Sequence, residues 1–329
     1  YKNSSSISKK KHIGGLLCGC GLDVGLGLVV DVAWMYCWFV WRQMWDVFPP
    51  DKTPLHLGSQ NGHVKIVKYL VGMKANIEAK DWEGVTPLGW GVRGGHVEIV
   101  KCLVAMKANI EAKDDDGVTL LDSGVRGGIV SIVECHVYMK ADIEARNKKD
   151  RTPLGWGARG GHVEIVKYLV AMKANIEAKD VEGVTPLGWG VRGGHVEIVK
   201  CLVAMKANIE AKDDDGRRPL GWASKEGELE IVKYLVAMKA NIEAKDDDGN
   251  APLHLGSHWG KLEIVKCLVG MKANIETRNS NGNTPLMESS MQGHSDVANV
   301  IKQQYVKSRI RVFARDMTNL KMLNKEVER

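Results

Sequence analysis

Apolar residues recur at helical spacing within one short unit that is repeated along most of the chain. In a representative copy, Val97, Val100, Leu103 and Val104 follow a Gly-Gly-His sequence and are spaced as one face of a helix. A Thr-Pro-Leu sequence stands ahead of them, where the Thr hydroxyl can cap a first helix and Pro suits its first turn. Each copy therefore predicts a short helix, a glycine break and a longer helix.

The copies follow one another with a period of 33 residues. The Thr-Pro-Leu sequence stands at residues 53–55, 86–88, 152–154, 185–187 and 284–286. Turn segments in the same register give eight copies between residues 49 and 305. No single helix pair can bury its own apolar face, so this period predicts one elongated stack rather than the two or three domains that 329 residues would allow.

The complete unit, D-x-x-G-x-T-P-L-x-x-(A/G)-x-x-x-G-H-x-x-I-V-x-x-L-V, resembles the ankyrin repeat, and the resemblance covers about 255 of the 329 residues. It implies an all-α solenoid of stacked helix-turn-helix units joined by β-turn or hairpin-like loops. It also implies a module or scaffold that binds proteins through its turn tips and concave face, without catalytic activity. The chain then divides into a basic and hydrophobic segment (1–48), the repeat array (49–305) and a basic C-terminal helix or cap (306–329).

Two departures from the family pattern are shared by many copies. Gly residues flank a Trp in the first helix at Trp90, Trp156 and Trp189, and Trp222 follows a Gly at the same position. We interpret the large ring as compensation for the missing side chains, with a ligand-binding aromatic ladder as the alternative. At the end of the longer helix, where the family has a left-handed Gly, this chain has Lys, which costs about 1 kcal/mol if the left-handed conformation is kept.

The third copy departs furthest from the unit. Leu120 stands in place of Pro, Ile129 in place of His, and His136 in place of a buried Leu. A His at a core position is more often satisfied locally than catalytic. We therefore predict that residues 114–146 form the least stable layer of the stack.

Candidate binding residues lie at the positions that vary between ankyrin repeats. The series along the first helices is basic, and it is accompanied by basic and aromatic residues at the turn tips. These candidates are Arg93, Arg126, Arg159, Arg192, Lys225 and His258 on the helices, with Trp82, Lys149, Arg151 and Trp259 at the tips. Layers about 10 Å apart would make this a stripe roughly 40–50 Å long that suits an extended acidic segment of a partner protein. The alternative is a solvated face on which tips and stripe neutralise each other.

Charge and cysteine usage limit the other functions. Residues 51–305 hold 34 Lys and Arg against 34 Asp and Glu, so the array does not favour nucleic-acid binding. Four of the seven Cys share one repeat position, where neighbours stand about 8–10 Å apart, too far for a disulfide. We expect free thiols, a cytoplasmic monomer, and no catalytic, cofactor or metal site.

The ends of the chain leave several hypotheses open. Residues 24–41 form an apolar run of 18 residues, near the minimum for a membrane span, but Asp31 lies within it. This segment is a membrane anchor, a hydrophobic cap on the array, or sequence that is not native. The alternative functions are accordingly a membrane-anchored ankyrin protein, or an accessory array of a larger enzyme or channel. Residues 306–329 either cap the array or meet a partner helix or an anionic surface.

Overall fold

The computed structural model describes residues 52–327, and residues 1–51 and 328–329 lie outside it. The predictions made for residues 1–48, including the membrane hypothesis for residues 24–41, therefore fall outside the described residues. Between residues 52 and 327, none of the helices combines the length and apolarity needed to cross a bilayer.

Sixteen helices fill the described part of the chain, and they alternate between a first and a second type. The first helices are α1 (Pro54–Gln60), α3 (Pro87–Arg93), α5 (Leu120–Arg126), α7 (Pro153–Gly160), α9 (Pro186–Arg192), α11 (Pro219–Glu226), α13 (Pro252–His258) and α15 (Pro285–Met291). The second helices are α2 (Val64–Gly72), α4 (Val97–Ala105), α6 (Val130–Tyr138), α8 (Val163–Ala171), α10 (Val196–Ala204), α12 (Leu229–Ala237), α14 (Leu262–Gly270) and α16 (Ser295–Val327). Each packs against its pair partner and against its equivalent in the next pair, which confirms the predicted all-α solenoid.

The repeated sequence explains where these helices begin and end. Thr86 is extended and its hydroxyl accepts from the Gly89 amide at 3.2 Å, while Pro occupies the first helical position. Gly95, with φ of +74°, separates the first helix from the second. Seven of the eight second helices are followed, two residues after their last residue, by a Lys in the left-handed region, such as Lys107 with φ of +65°. The predicted unfavourable cap conformation is therefore confirmed.

Small residues in the first helices allow close stacking. A Cβ on Gly89 would lie 2.8 Å from Val85 Cγ1, and one on Gly91 would lie 3.2 Å from Ile99 Cγ2. These glycines therefore allow the first helix to pack closely against neighbouring side chains. Their role is not limited to leaving space for the Trp between them.

Ile, Val and Leu from both the first and the second helices form the core, and this core divides at the third repeat. One cluster extends from Leu55 to Ile132, and a second begins at Leu121 and Val125 and runs to the end of the array. His136 is fully buried there; its Nδ1 lies 2.9 Å from the Ile132 carbonyl, whereas its Nε2 has no partner. The division supports the prediction of a weak third layer, which hydrogen exchange would test.

The turns of successive repeats are joined through the backbone. The Asp115 amide donates to the Glu83 carbonyl at 2.9 Å, and the Asp247 amide to the Asp215 carbonyl at 3.1 Å. Equivalent bonds link the intervening turns, so the tips form a continuous, ordered edge. The four described Cys, at positions 102, 135, 201 and 267, are free thiols.

Candidate functional site

The Trp residues of the first helices lie beside the turns, where their indole groups are tied to an Asp at the start of the same repeat. Nε1 of Trp90, Trp189 and Trp222 donates to Asp81, Asp180 and Asp213 at 2.7, 2.9 and 2.7 Å. These bonds fix the orientation of the rings. Volume compensation alone therefore does not describe the role of these tryptophans.

Trp156 lacks this bond because its repeat begins with Asn147. The single side-chain oxygen of Asn147 accepts from the backbone amides of Lys149 and Arg151, both at 3.0 Å. Nε1 of Trp156 is consequently buried without a hydrogen-bond partner.

The basic stripe and the tryptophans form one surface, because each cation lies over a ring of its own or a neighbouring repeat. Cζ of Arg192 is 4.3 Å from the ring centroids of both Trp189 and Trp222, and Cζ of Arg126 is 4.6 Å from that of Trp156. Contacts of this kind contribute about 0.5–1 kcal/mol each at exposed sites. We call this surface the cation–tryptophan face; it comprises Arg93, Arg126, Arg159, Arg192 and Lys225 with Trp90, Trp156, Trp189 and Trp222.

The sequence analysis did not predict that the basic side chains lie over the Trp rings, although the spacing of these residues in the sequence indicated it. In each of the four repeats the Trp and the basic residue stand three apart on the same short helix, as Trp156 and Arg159 do, and residues at this spacing are neighbours on a helix surface. Contacts to the next repeat, such as Arg159 over Trp189 at 5.0 Å, depend on the stacking itself.

The cations of the stripe differ in how far they are neutralised. Arg93 pairs with Glu83 at 2.6 Å and with Asp114 at 3.0 Å, and Arg192 pairs with Glu182 at 3.0 Å. His258 Nδ1 lies 2.9 Å from Glu288 Oε2. The hypothesis of a self-neutralised face therefore holds at these three positions.

Arg126, Arg159 and Lys225 have no carboxylate at ion-pair distance among residues 52–327. The pKa of Arg159 is lowered by burial, and also by the neighbouring charges of Arg151 and Arg192, while Glu182 acts in the opposite direction. Arg159 thus lies between two cations that have carboxylate partners, Arg151 with Asp180 and Arg192 with Glu182, while Arg159 itself has none among residues 52–327. An anion bound there would relieve this repulsion.

Arg151 is not a surface residue, and its prediction as a partner contact is wrong. It is 2% exposed, its Nε and Nη2 donate to Asp180 Oδ2 at 3.1 and 2.8 Å, and its Cζ lies 4.6 and 4.0 Å from the rings of Trp156 and Trp189. The equivalent position of the next repeat holds the buried Val184, so the repeat register already marked this position as internal. Arg151 belongs to the structure that orients the rings.

The remaining candidates occupy the turn tips. Trp82 is 64% exposed and lines an open groove with Glu83, Asp115 and Arg126, while Lys149 is exposed at its own tip. Trp259 is half-exposed and stands edge-on to His258, with ring centroids 5.5 Å apart. Trp82 and Trp259 are therefore exposed enough to contact a partner, and they belong to different repeats. Trp82 lies beside Arg126 and Trp259 beside His258, two other candidates from the sequence.

Residues 52–327 contain no group of three or more His, Cys, Asp and Glu side chains placed to hold a metal ion. The cation–tryptophan face is a row of alternating indole rings and basic side chains.

The family description "Ankyrin repeats (3 copies)" matches residues 38–116, 121–213, 179–246 and 220–311. The chain belongs to the ankyrin repeat family. Ankyrin repeats generally mediate protein–protein interaction, and the family is typically non-catalytic. No curated protein matches this ankyrin chain.

Proposed function

We propose that this ankyrin array binds an extended acidic segment of a partner protein along the cation–tryptophan face. The observation that carries the proposal is a group of three cations, Arg126, Arg159 and Lys225, which have no ion-pair partner among residues 52–327 and each lie over a tryptophan ring. Each of these cations lies over a tryptophan ring, and the N–H groups of Arg126 and Arg159, which have no carboxylate partner among residues 52–327, can meet a carboxylate in two-point geometry.

The spacing of the stack specifies the ligand further. Stacked helices are about 10 Å apart, and a peptide in the polyproline II conformation advances about 3.1 Å per residue with three residues per turn. One layer therefore corresponds to three residues, and every third side chain lies on the same side of the peptide. A segment with Asp or Glu at every third position would place successive carboxylates at successive layers. Binding by such contacts should weaken as salt is raised, because exposed charges are screened beyond about 8 Å at 0.15 M ionic strength.

The test is the binding of a fluorescein-labelled extended peptide that carries Glu at every third position, followed by fluorescence anisotropy. Exchanging Arg126→Glu together with Arg159→Glu should weaken binding at least tenfold, since two attractions become repulsions. The matched control is Lys101→Glu with Lys167→Glu. It makes the same change in net charge on the second helices, where these Lys are exposed and pair with Glu98 and Glu164.

Equal weakening by the two double variants would show attraction to net charge alone and refute the binding face. Absence of peptide binding by the unmodified chain at low salt would refute the acidic ligand. A Glu-free peptide of the same length, with Gln in each position, controls for binding that does not depend on charge.

The alternative functions rest on residues outside the described part. A membrane anchor at residues 24–41 and a place in a larger enzyme or channel receive no supporting observation from residues 52–327. The predicted cytoplasmic localisation likewise remains a prediction.

A further inference from the structure

The last helix is far longer than the repeat requires. The other second helices have 9 residues, whereas α16 has 33, and it crosses the predicted boundary at residue 306 without a break. Val297, Ala298 and Ile301 are buried against the array, and Gln304 and Ser308 continue this side as half-buried residues. From Arg309 onwards every side chain that the structure describes is exposed.

Large apolar side chains line the part of α16 that extends past the array. Val306, Ile310, Phe313 and Met317 are 55%, 62%, 69% and 43% exposed. At 3.6 residues per turn they lie on the side of the helix opposite to Ile301. They therefore do not serve to cap the array, whose contacts come from the other side of the same helix.

The spacing of this apolar seam fits a heptad. Its members are separated by four, three and four residues, and the sequence continues the alternation at Leu320, Asn324 and Val327. A straight helix drifts by about 20° per heptad relative to a 3.5-residue repeat, so a strict heptad is kept in register only by supercoiling against another helix. On a straight helix the same positions lie within about 100° of one another, so the polar positions beside the seam, rather than its spacing, distinguish a partner helix from a lipid surface.

The polar positions around the seam favour an identical helix as the partner. With Ile310 and Met317 at the first core position (a) of the heptad, Asn324 occupies the next a position. A single Asn at an a position sets register and pairs best with its own equivalent in a parallel pair. In the same frame Asp316 and Lys321 fall at the flanking g and e positions, which face each other across a parallel, in-register pair and here carry opposite charge.

We propose that residues 306–327 bind the same segment of a second copy of this chain as a parallel coiled coil. The product is a dimer that carries two ankyrin arrays, and it replaces the monomer expected from the sequence. Two arrays on one dimer would bind a partner with two acidic segments more tightly than either array alone, without any new contact to that partner.

The test is the mass of the full chain in solution, measured by sedimentation equilibrium over a range of concentrations. The unmodified chain is expected at twice 36.3 kDa, and Ile310→Ser with Phe313→Ser should raise the dimer dissociation constant at least a hundredfold. The matched control, Arg311→Ser with Arg315→Ser, places the same two serines on exposed positions of the helix outside the seam and should remain dimeric. Circular dichroism checks that all variants keep the folded array.

Three results would overturn the proposal. The unmodified chain could remain a monomer up to about 100 μM, the range of weak association. The seam and control variants could have the same dissociation constant, which would place the contact elsewhere. A monomer that binds phosphatidylserine vesicles, and loses this binding with the seam serines, would assign the seam to an anionic membrane.

Discussion

Substitution of Asp122 by Asn should stabilise the array, and by more at high pH than at low pH. Asp122 lies at the third position of α5 and is fully buried. One carboxylate oxygen accepts from the Thr119 amide at 3.3 Å, while the other, Oδ1, is buried without a partner. At the equivalent position in α1, the His56 ring nitrogen lies 3.0 and 3.1 Å from the carbonyls of Ala79 and Val85. This position therefore suits a donor, and a carboxylate offers none.

Burial raises the pKa of Asp122 to about 7 from its ordinary 3.8, against the opposing effects of the Thr119 hydrogen bonds and the charges of Lys113 and Arg126. Between these pH values the folded state binds a proton that the unfolded state releases, so stability falls as pH rises from 3.8 to about 7. At 1.36 kcal/mol per pKa unit, the loss is about 4 kcal/mol at pH 8 and about 1–2 kcal/mol at pH 5.

Asn keeps an oxygen for the Thr119 amide and adds a neutral donor in place of the unpaired oxygen. Urea unfolding followed by circular dichroism should show Asp122→Asn more stable than the unmodified chain at pH 8, with the difference smaller by about 2–3 kcal/mol at pH 5. Asp116→Asn makes the same change of charge at an exposed turn position, and it should differ little from the unmodified chain at either pH. A difference for Asp122→Asn that is the same at pH 5 and pH 8 would refute the reasoning.

Three further substitutions test other parts of the array by the same unfolding measurement. His136→Leu should stabilise by about 1–3 kcal/mol by removing a buried unpaired nitrogen. Burial lowers the pKa of His136, so the advantage of Leu should grow as pH falls below 6.5, and an advantage that does not depend on pH would contradict this. Asn147→Asp should stabilise by about 1 kcal/mol by giving Trp156 Nε1 an acceptor, and the gain should vanish in a Trp156→Phe background. Asp180→Ala should cost about 3–5 kcal/mol of stability because it leaves Arg151 buried and unpaired. Arg151→Val should cost much less, because the buried Val184 occupies the same position in the next repeat. Equal costs for the two substitutions would show that the ion pair does not matter.

The sequence predicted the fold because the residues that begin and end each helix recur from repeat to repeat. A Thr such as Thr86 caps six of the eight first helices, glycines such as Gly95 separate the two helices, and the Lys residues after the second helices adopt the left-handed conformation of that position. These are local conformational preferences, each decided within a few residues. Because the unit recurs every 33 residues, the same signals are present in several copies. The family assignment and the all-α class follow from them.

The candidate surface was predictable only in part. The row of Arg93, Arg126, Arg159 and Arg192 was visible in the sequence as one position of the repeat. Which of these cations keeps a free charge was not, because Glu83 and Asp114 reach Arg93 from two different turns, whereas Arg159 has rings on both sides and no carboxylate. Arg151 was misplaced for the same reason, since its partner Asp180 comes from the following repeat.

The sequence by itself thus determined the repeated unit, its helices and the order in which the units stack. Their periodic apolar faces leave one way to exclude water, which is to pack each pair on the next. Only the tertiary structure decided how tryptophans and cations interleave, where the core divides at the third repeat, and that the seam of α16 points away from the array. Those features depend on contacts between residues about 30 positions apart or on which side of a helix is already covered, and neither is encoded in local preference.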